Sequence, residues 1–303
     1  MMNPVLSRRS FVVRGAGALA FGIGSALGLS GCVVHDPEAR AAAGGGELRI
    51  VATTPALTKV CAELDLDLVG VPKSDNVPAR YKGVPTTGAP MSPDMEVLAS
   101  MSPDIVLSPT TLENDLAPKY ANAGIVGEFV NVSSVDGLFD SIKTLGEQLD
   151  RVDEAQKLLD DHEQFMEDFR QKVAGREHPQ VLVLMGVPGS YIIATDQSYV
   201  GSLVVLAGGQ NVYGEASEEF INANTEDMFL RDPDIILRAA HGVPEMVVEM
   251  FAEEFSTDDI WKHFRAVQEG RVYDLPFDMF GMSATLGYTE CLSYLMPLLY
   301  GGE

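Results

Sequence analysis

Short runs rich in Val, Ile and Leu alternate along this chain with segments whose apolar residues recur every three or four positions. The first pattern predicts strands at residues 48–53 (LRIVAT), 68–71, 104–108 (DIVLS) and 128–132. The second predicts helices at 55–64, 93–100, 111–123 and 136–149, interleaved with those strands. Thr54 can cap the helix that opens at Pro55, and Ser92 the one at Pro93. Proline at a first helical position gives up only an N–H that has no partner there. The second half repeats the scheme, with strands at 181–185 (VLVLM), 191–194 and 235–237 and helices at 200–207, 244–255, 259–264 and 284–299. Such alternation predicts a parallel sheet with covering helices in each half.

Between the halves, Val152–Val173 is charged and free of Gly and Pro. Its Ala155, Leu158, Leu159, Phe165, Phe169 and Val173 fall roughly at helical spacing. The simplest architecture is two α/β lobes, 47–150 and 177–303, bridged by one long helix within 151–176. An internal repeat agrees. Residues 96–107 (EVLASMSPDIVL) recur as 226–237 (EDMFLRDPDIIL), with five identities in twelve positions. Each is a helix stopped by proline and followed at once by a buried strand.

The first 32 residues read differently. Ser7-Arg8-Arg9-Ser10-Phe11-Val12 is a twin-arginine export signature, and the apolar run behind it ends at Leu29-Ser30-Gly31-Cys32, the pattern of a lipoprotein cleavage site. Residues 1–31 are therefore expected to be a cleaved signal. Cys32 is the expected lipidation site, and 32–46 an Ala/Gly-rich tether. No later segment is apolar enough to span a bilayer. Loss of Arg8, Arg9 and Arg14 moves the net charge from −23 to −26. A body this acidic repels phosphate backbones, which argues against a nucleic-acid partner. Cys61 and Cys291 sit in apolar helical patterns and read as small buried residues rather than a disulfide scaffold.

No catalytic set stands out. G-x-S-x-G, C-x-x-C, H-E-x-x-H and a phosphate loop are all missing from the sequence, so no enzyme is indicated. Two single residues are better placed. His241 follows the strand at 235–237, where open α/β sheets hold ligands, and Met91 lies just ahead of a helix start in the first half. Each also has an ordinary reading: one of 13 methionines filling a core, and a structural histidine at a helix start.

Several segments together resemble the IsdE-like haem-binding lipoproteins of iron-regulated surface determinant uptake systems. They include 49–54 (RIVATT), 88–94 (GAPMSPD), 184–191 (LMGVPGSY), 237–242 (LRAAHG), 259–264 (DIWKHF) and 271–275 (RVYDL). The resemblance implies a helical-backbone (class III) periplasmic-binding-protein-like fold. Haem would be carried in the interlobe cleft as transported ligand, with Met91 from the first lobe and His241 from the second as axial iron ligands. A hydrogen-bond partner is expected to hold the His241 tautomer. The propionates need donors in a protein without a basic patch, and the helix start at Thr53, Thr54 and Pro55 is the best candidate, ahead of Lys73, Arg80 and Tyr81. The implied partner is an ABC permease at the membrane. Glu96 and Glu226, each seven residues before the repeated Pro-Asp, are the expected docking carboxylates, although an acid at a helix start also simply complements the dipole. The implied receptor is a lipid-anchored monomer on the extracytoplasmic face. A siderophore or corrinoid receptor on the same scaffold is the alternative, and a secreted hydrolase or haem-modifying enzyme the competing class.

Overall fold

The two central strands of the first half, Ile50–Ala52 and Ile105–Pro109, are short and fully buried, and each is followed by a helix or turn that carries the chain back across the sheet. The computed structural model describes residues 48–301. The expected signal, Cys32 and tether lie outside these described residues. In chain order the first half contains β1 (Ile50–Ala52), α1 (Pro55–Glu63), β2 (Leu68–Gly70), β3 (Gly88–Ala89) and β4 (Ser92–Pro93). It continues with α2 (Met95–Ser100), β5 (Ile105–Pro109), α3 (Glu113–Ala123), β6 (Gly127–Val130) and α4 (Val135–Gln148). Four strands form one parallel sheet in the order β2-β1-β5-β6.

The linking helix α5 is Val152–Val173, the span expected from its composition. Beyond it lie β7 (Gln180–Val187), β8 (Ser190–Ala194), α6 (Tyr199–Leu206), β9 (Gln210–Asn211), β10 (Phe220–Asn222) and α7 (Thr225–Leu230). The chain ends with β11 (Ile235–Ala240), α8 (Pro244–Thr257), α9 (Arg265–Gln268), β12 (Val272–Asp274) and α10 (Tyr288–Tyr300). The second sheet runs β10-β8-β7-β11-β12, with β9 also paired to β7.

This second sheet is mixed, not parallel as the alternation predicts. Pro188 and Gly189 reverse the chain between β7 and β8, with Gly189 at φ +86°, so β8 pairs antiparallel with β7 and β10 with β8. Three other expectations shift for local reasons. Helix α2 is capped by Asp94, whose carboxylate accepts from the N–H groups of Glu96 (2.9 Å) and Val97 (3.1 Å), and not by Ser92, which is paired in β4. The 259–264 segment closes as a 3-10 helix, Asp259–His263, around the buried Trp261. Helix α10 begins at Tyr288 because the Ala284 N–H is donated across the molecule to the Val132 carbonyl at 2.7 Å.

The internal repeat is structural as well as sequential. Helices α2 and α7 have six residues each, and each is followed by a residue at positive φ (Ser102 at 43°, Asp232 at 45°) and then by Pro-Asp. Asp104 accepts from the Arg49 N–H and Asp234 from the Gln180 N–H, so each aspartate ties its own strand to the start of the neighbouring one.

Both sheets are covered on both faces, as parallel pairings require. One continuous core takes in a face of each sheet together with α4, α5, α6 and α10. Helix α5 is seated tightly on the first lobe: a side chain on Gly146 of α4 would put its Cβ 2.4 Å from the Ala155 Cβ.

Candidate functional site

The strand orders fix where a ligand can lie. In the first sheet the chain leaves β1 toward β2 and later returns to the other side of β1 as β5. The carboxyl ends of β1 and β5 therefore flank a crevice, the place where open α/β sheets hold ligands. A cavity of about 440 Å³ opens there. Its first-lobe wall comes from the residues after β1 (Thr54, Pro55, Ala56), those after β5 (Thr111, Leu112), and Asn76 and Met91 from the β2–β4 connection. The facing wall comes from residues that follow β12, chiefly Phe277, Met279, Met282 and Thr285.

Met91 stands at the tip of the β3–β4 hairpin and is 59% exposed, an unusual position for so apolar a side chain. Gly88 lets the hairpin form. It sits at φ +101°, and a side chain there would meet the Asp94 nitrogen at 3.2 Å and the Ser92 oxygen at 3.3 Å. The sequence reading took this stretch as a loop before a helix; the hairpin it forms sets Met91 on the cavity wall.

His241 follows β11 at the second sheet's own switch point, between β7 and β11, where its backbone N–H donates to the Gly186 carbonyl at 2.8 Å. It is half-buried, and burial lowers its pKa below the ordinary histidine value, so its imidazole is neutral at neutral pH. The ring makes no hydrogen bond, so the expected tautomer-holding partner is not found among the described residues. His241 does not line the cavity; it stands at the end of the strand next to β12, from which the cavity's far wall departs.

The expected propionate donors separate. Thr54 lines the cavity, and its side-chain oxygen accepts from the Leu57 N–H at 3.4 Å. Thr53 is fully buried and committed elsewhere: its hydroxyl donates to the Leu107 carbonyl at 3.1 Å and shares a 3.0 Å hydrogen bond with Ser108. Arg80 and Tyr81 are structural. Arg80 donates to the Ala62 carbonyl and pairs with Asp65 and Asp67, while the buried Tyr81 hydroxyl donates to the Leu66 carbonyl at 2.7 Å. Lys73 is exposed, its ammonium makes no ion pair among the described residues, and its backbone N–H donates to the Gly88 carbonyl at the root of the Met91 hairpin. Glu96 and Glu226 are both exposed in the first turns of α2 and α7.

Among the described residues, no arginine, lysine or histidine lines this cavity. A larger hollow of about 580 Å³ lies at the opposite edge, by the amino ends of β7, β11 and β12. Its arginines are occupied, Arg176 by the Lys172 carbonyl and Arg271 by the Leu299 carbonyl. The carboxyl-end cavity, walled by Met, Phe, Leu and Pro, is the better ligand site. Sequence patterning missed its far wall entirely, since residues 277–285 show neither periodicity nor a motif.

The fold agrees with known proteins. The periplasmic binding protein family profile matches residues 50–279. The chain belongs to that family. It is 44% identical to the high-affinity heme uptake system protein IsdE of Staphylococcus aureus strain Newman over 257 residues, 84% of this chain and 88% of the relative. The crystal structure of S. aureus IsdE complexed with heme superposes with a TM-score of 0.80 at 44% identity, covering 84% of this chain and all of that one. An ABC transporter substrate-binding protein from Listeria monocytogenes EGD-e has a TM-score of 0.81 at 46% identity, with 85% and 100% covered. The two α/β lobes on a helical backbone are therefore this family's fold, and the resemblance to IsdE-like proteins holds along the body of the chain.

Proposed function

We propose that this protein is a haem receptor that binds its ligand between the lobes and delivers it to an ABC permease. The observation that carries this reading is the exposed Met91 thioether at the mouth of an apolar crevice, in a chain 44% identical to a heme uptake protein. A thioether and a neutral imidazole form a Met/His axial pair for haem iron, and Met91 and His241 are the residues that would supply it. Porphyrin faces need apolar walls, which Leu112, Phe277, Met279 and Met282 offer. The propionates would meet neutral donors, the first-turn N–H groups of α1 beyond Thr54 and the Thr111 and Thr285 hydroxyls, with the cationic Lys73 outside the lining at the root of the Met91 hairpin.

The siderophore alternative is weakened by the wall itself. A ferric siderophore carrying several negative charges calls for cationic groups, and this cavity has none. The chain's relatives are a heme uptake protein and an ABC transporter substrate-binding protein, which supports a binding component and not an enzyme. Adding haemin to purified residues 33–303 should give a saturable Soret band with one equivalent bound. Binding of a ferric siderophore or cobalamin without a Soret response to haemin would replace this reading.

The remaining assignments complete the receptor. Cys32 carries the lipid that holds a monomer at the outer face of the membrane. Glu96 and Glu226 meet permease arginines, one per lobe, because the repeat sets both at equivalent exposed helix starts. Each charge-assisted pair is worth about 1.5–3 kcal/mol, so removing both should weaken docking about 100-fold or more. The Glu96→Ala, Glu226→Ala double variant should bind haem normally yet fail to support growth on haem iron. Wild-type growth, or loss of haem binding, would remove the docking role.

A further inference from the structure

The far wall of the cavity is a strap, residues 277–287, that belongs by chain to the second lobe but is fastened to other elements along its length. The Ala284 N–H donates to Val132 of the first lobe at 2.7 Å. The Cys291 thiol bonds the carbonyls of both Met279 and Gly287, each at 3.3 Å. Where the strap runs into α10, the buried Tyr288 hydroxyl meets Nδ1 of His162, on the interlobe helix, at 2.8 Å. The His162 ring lies flat on Phe139 of α4, with centroids 3.8 Å apart, and Tyr288 packs edge-on against Phe139 and Phe165. Helices α4, α5 and α10 thus converge on one imidazole at the end of the ligand-binding wall.

We propose that His162 is a positioning residue for the ligand cavity, which holds the strap through Tyr288 and releases it on protonation. The Tyr288 hydroxyl has no other hydrogen-bond partner among the described residues, so the arrangement that satisfies its hydrogen is O–H donating to an unprotonated Nδ1. A second proton on the ring turns that acceptor into a donor, so the hydroxyl must rotate to accept from it and its own buried hydrogen loses its partner. The groups around it pull in both directions. Asp136 of α4 and Glu163 of α5 favour the cation, Arg170 of α5 opposes it, and Asp161 and Glu290 face the Tyr288 hydroxyl. Burial outweighs them and lowers the His162 pKa in the closed strap. An opened strap returns the ring toward the ordinary value near 6.5, so it binds more protons, and opening gains as pH falls through that value.

The role is distinct from that of His241, which follows β11 and touches none of this cluster. It rests on the haem reading for its consequence, and its test separates the two. Strap opening is followed in haem-free residues 33–303 by hydrogen exchange at the 284–288 amides, normalised for intrinsic rates, at neutral pH and at about pH 5.5. Haem loss to excess apomyoglobin is measured in parallel. Wild-type protein should lose strap protection, and release haem faster, by about fivefold at the lower pH, the low end of the cost of leaving one buried donor unsatisfied. His162→Asn, which offers an acceptor near Nδ1 and cannot titrate, should stay protected at both pH values. Tyr288→Phe should be unprotected at both. Equal acid opening in wild type and His162→Asn, or full strap protection in Tyr288→Phe, overturns the proposal. If the exchange results hold but haemin does not bind, the haem reading fails and the clamp stands.

Discussion

Met91 and His241 meet the solvent in different ways, and that difference governs what each can offer iron. The thioether projects from a hairpin tip and is available without rearrangement. The imidazole is half-buried and kept neutral by that burial, the protonation state that metal ligation requires. The two remaining cysteines are the opposite case. Cys61 is fully buried, its pKa pushed up to about 12, and burial also raises that of Cys291. Thiolate is the reactive form, so neither should react with a disulfide reagent in native residues 33–303 at pH near 8, and both should react once the chain is unfolded. Fast labelling of one thiol in folded protein would contradict that burial. At this scale the sequence reading placed Thr54 and His241 just past strand carboxyl ends, because strand ends are legible from pattern, and of the two Thr54 lines the cavity while His241 does not. It failed for Thr53, Arg80 and Tyr81. Their polar groups are consumed by Leu107, Asp65 and Leu66, partners that no local spacing reveals.

Helix α5 was legible end to end, since 22 residues without Gly or Pro and with apolar positions near a 3.6 period have no competing structure. The β3–β4 hairpin was not, because strands of two residues carry no period and Ser92-Pro93 reads as a capped helix start. The strap was beyond reach for another reason: its order comes from contacts with Val132, Cys291 and His162, all distant in sequence or on other helices. The α4–α5 seat makes a measurable claim at this scale. A valine at Gly146 must place atoms where the Ala155 Cβ and the Arg151 carbonyl already lie, 2.4 and 3.0 Å from an added Cβ. Overpacking of this kind costs about 1–3 kcal/mol, more than the few tenths of helix propensity gained over glycine. Gly146→Val should therefore lower the urea midpoint by an amount equivalent to about 2 kcal/mol. An unchanged midpoint would mean that α5 is not seated on α4 as described.

Across the whole molecule, one core runs through both sheets and α5, and the strap adds a second tie between the halves. A helix of 22 residues is about 33 Å long and bends far less readily than a pair of extended linkers. Ligand capture should accordingly leave the overall dimensions almost unchanged, with a radius of gyration shift below about 1 Å in solution scattering and local change confined to the loops around His241. A marked compaction on adding haemin would contradict a rigid frame. The same frame sets the central claim, that each lobe contributes one iron ligand. It is tested most directly by absorbance spectra of haem-loaded residues 33–303, ferric and ferrous, for wild type, Met91→Ala and His241→Ala. His241→Ala should shift the Soret and visible bands in both oxidation states, whereas Met91→Ala should disturb the ferrous complex most, because thioether sulfur prefers the softer iron. Spectra identical to wild type in both states for either variant would remove that residue from the iron.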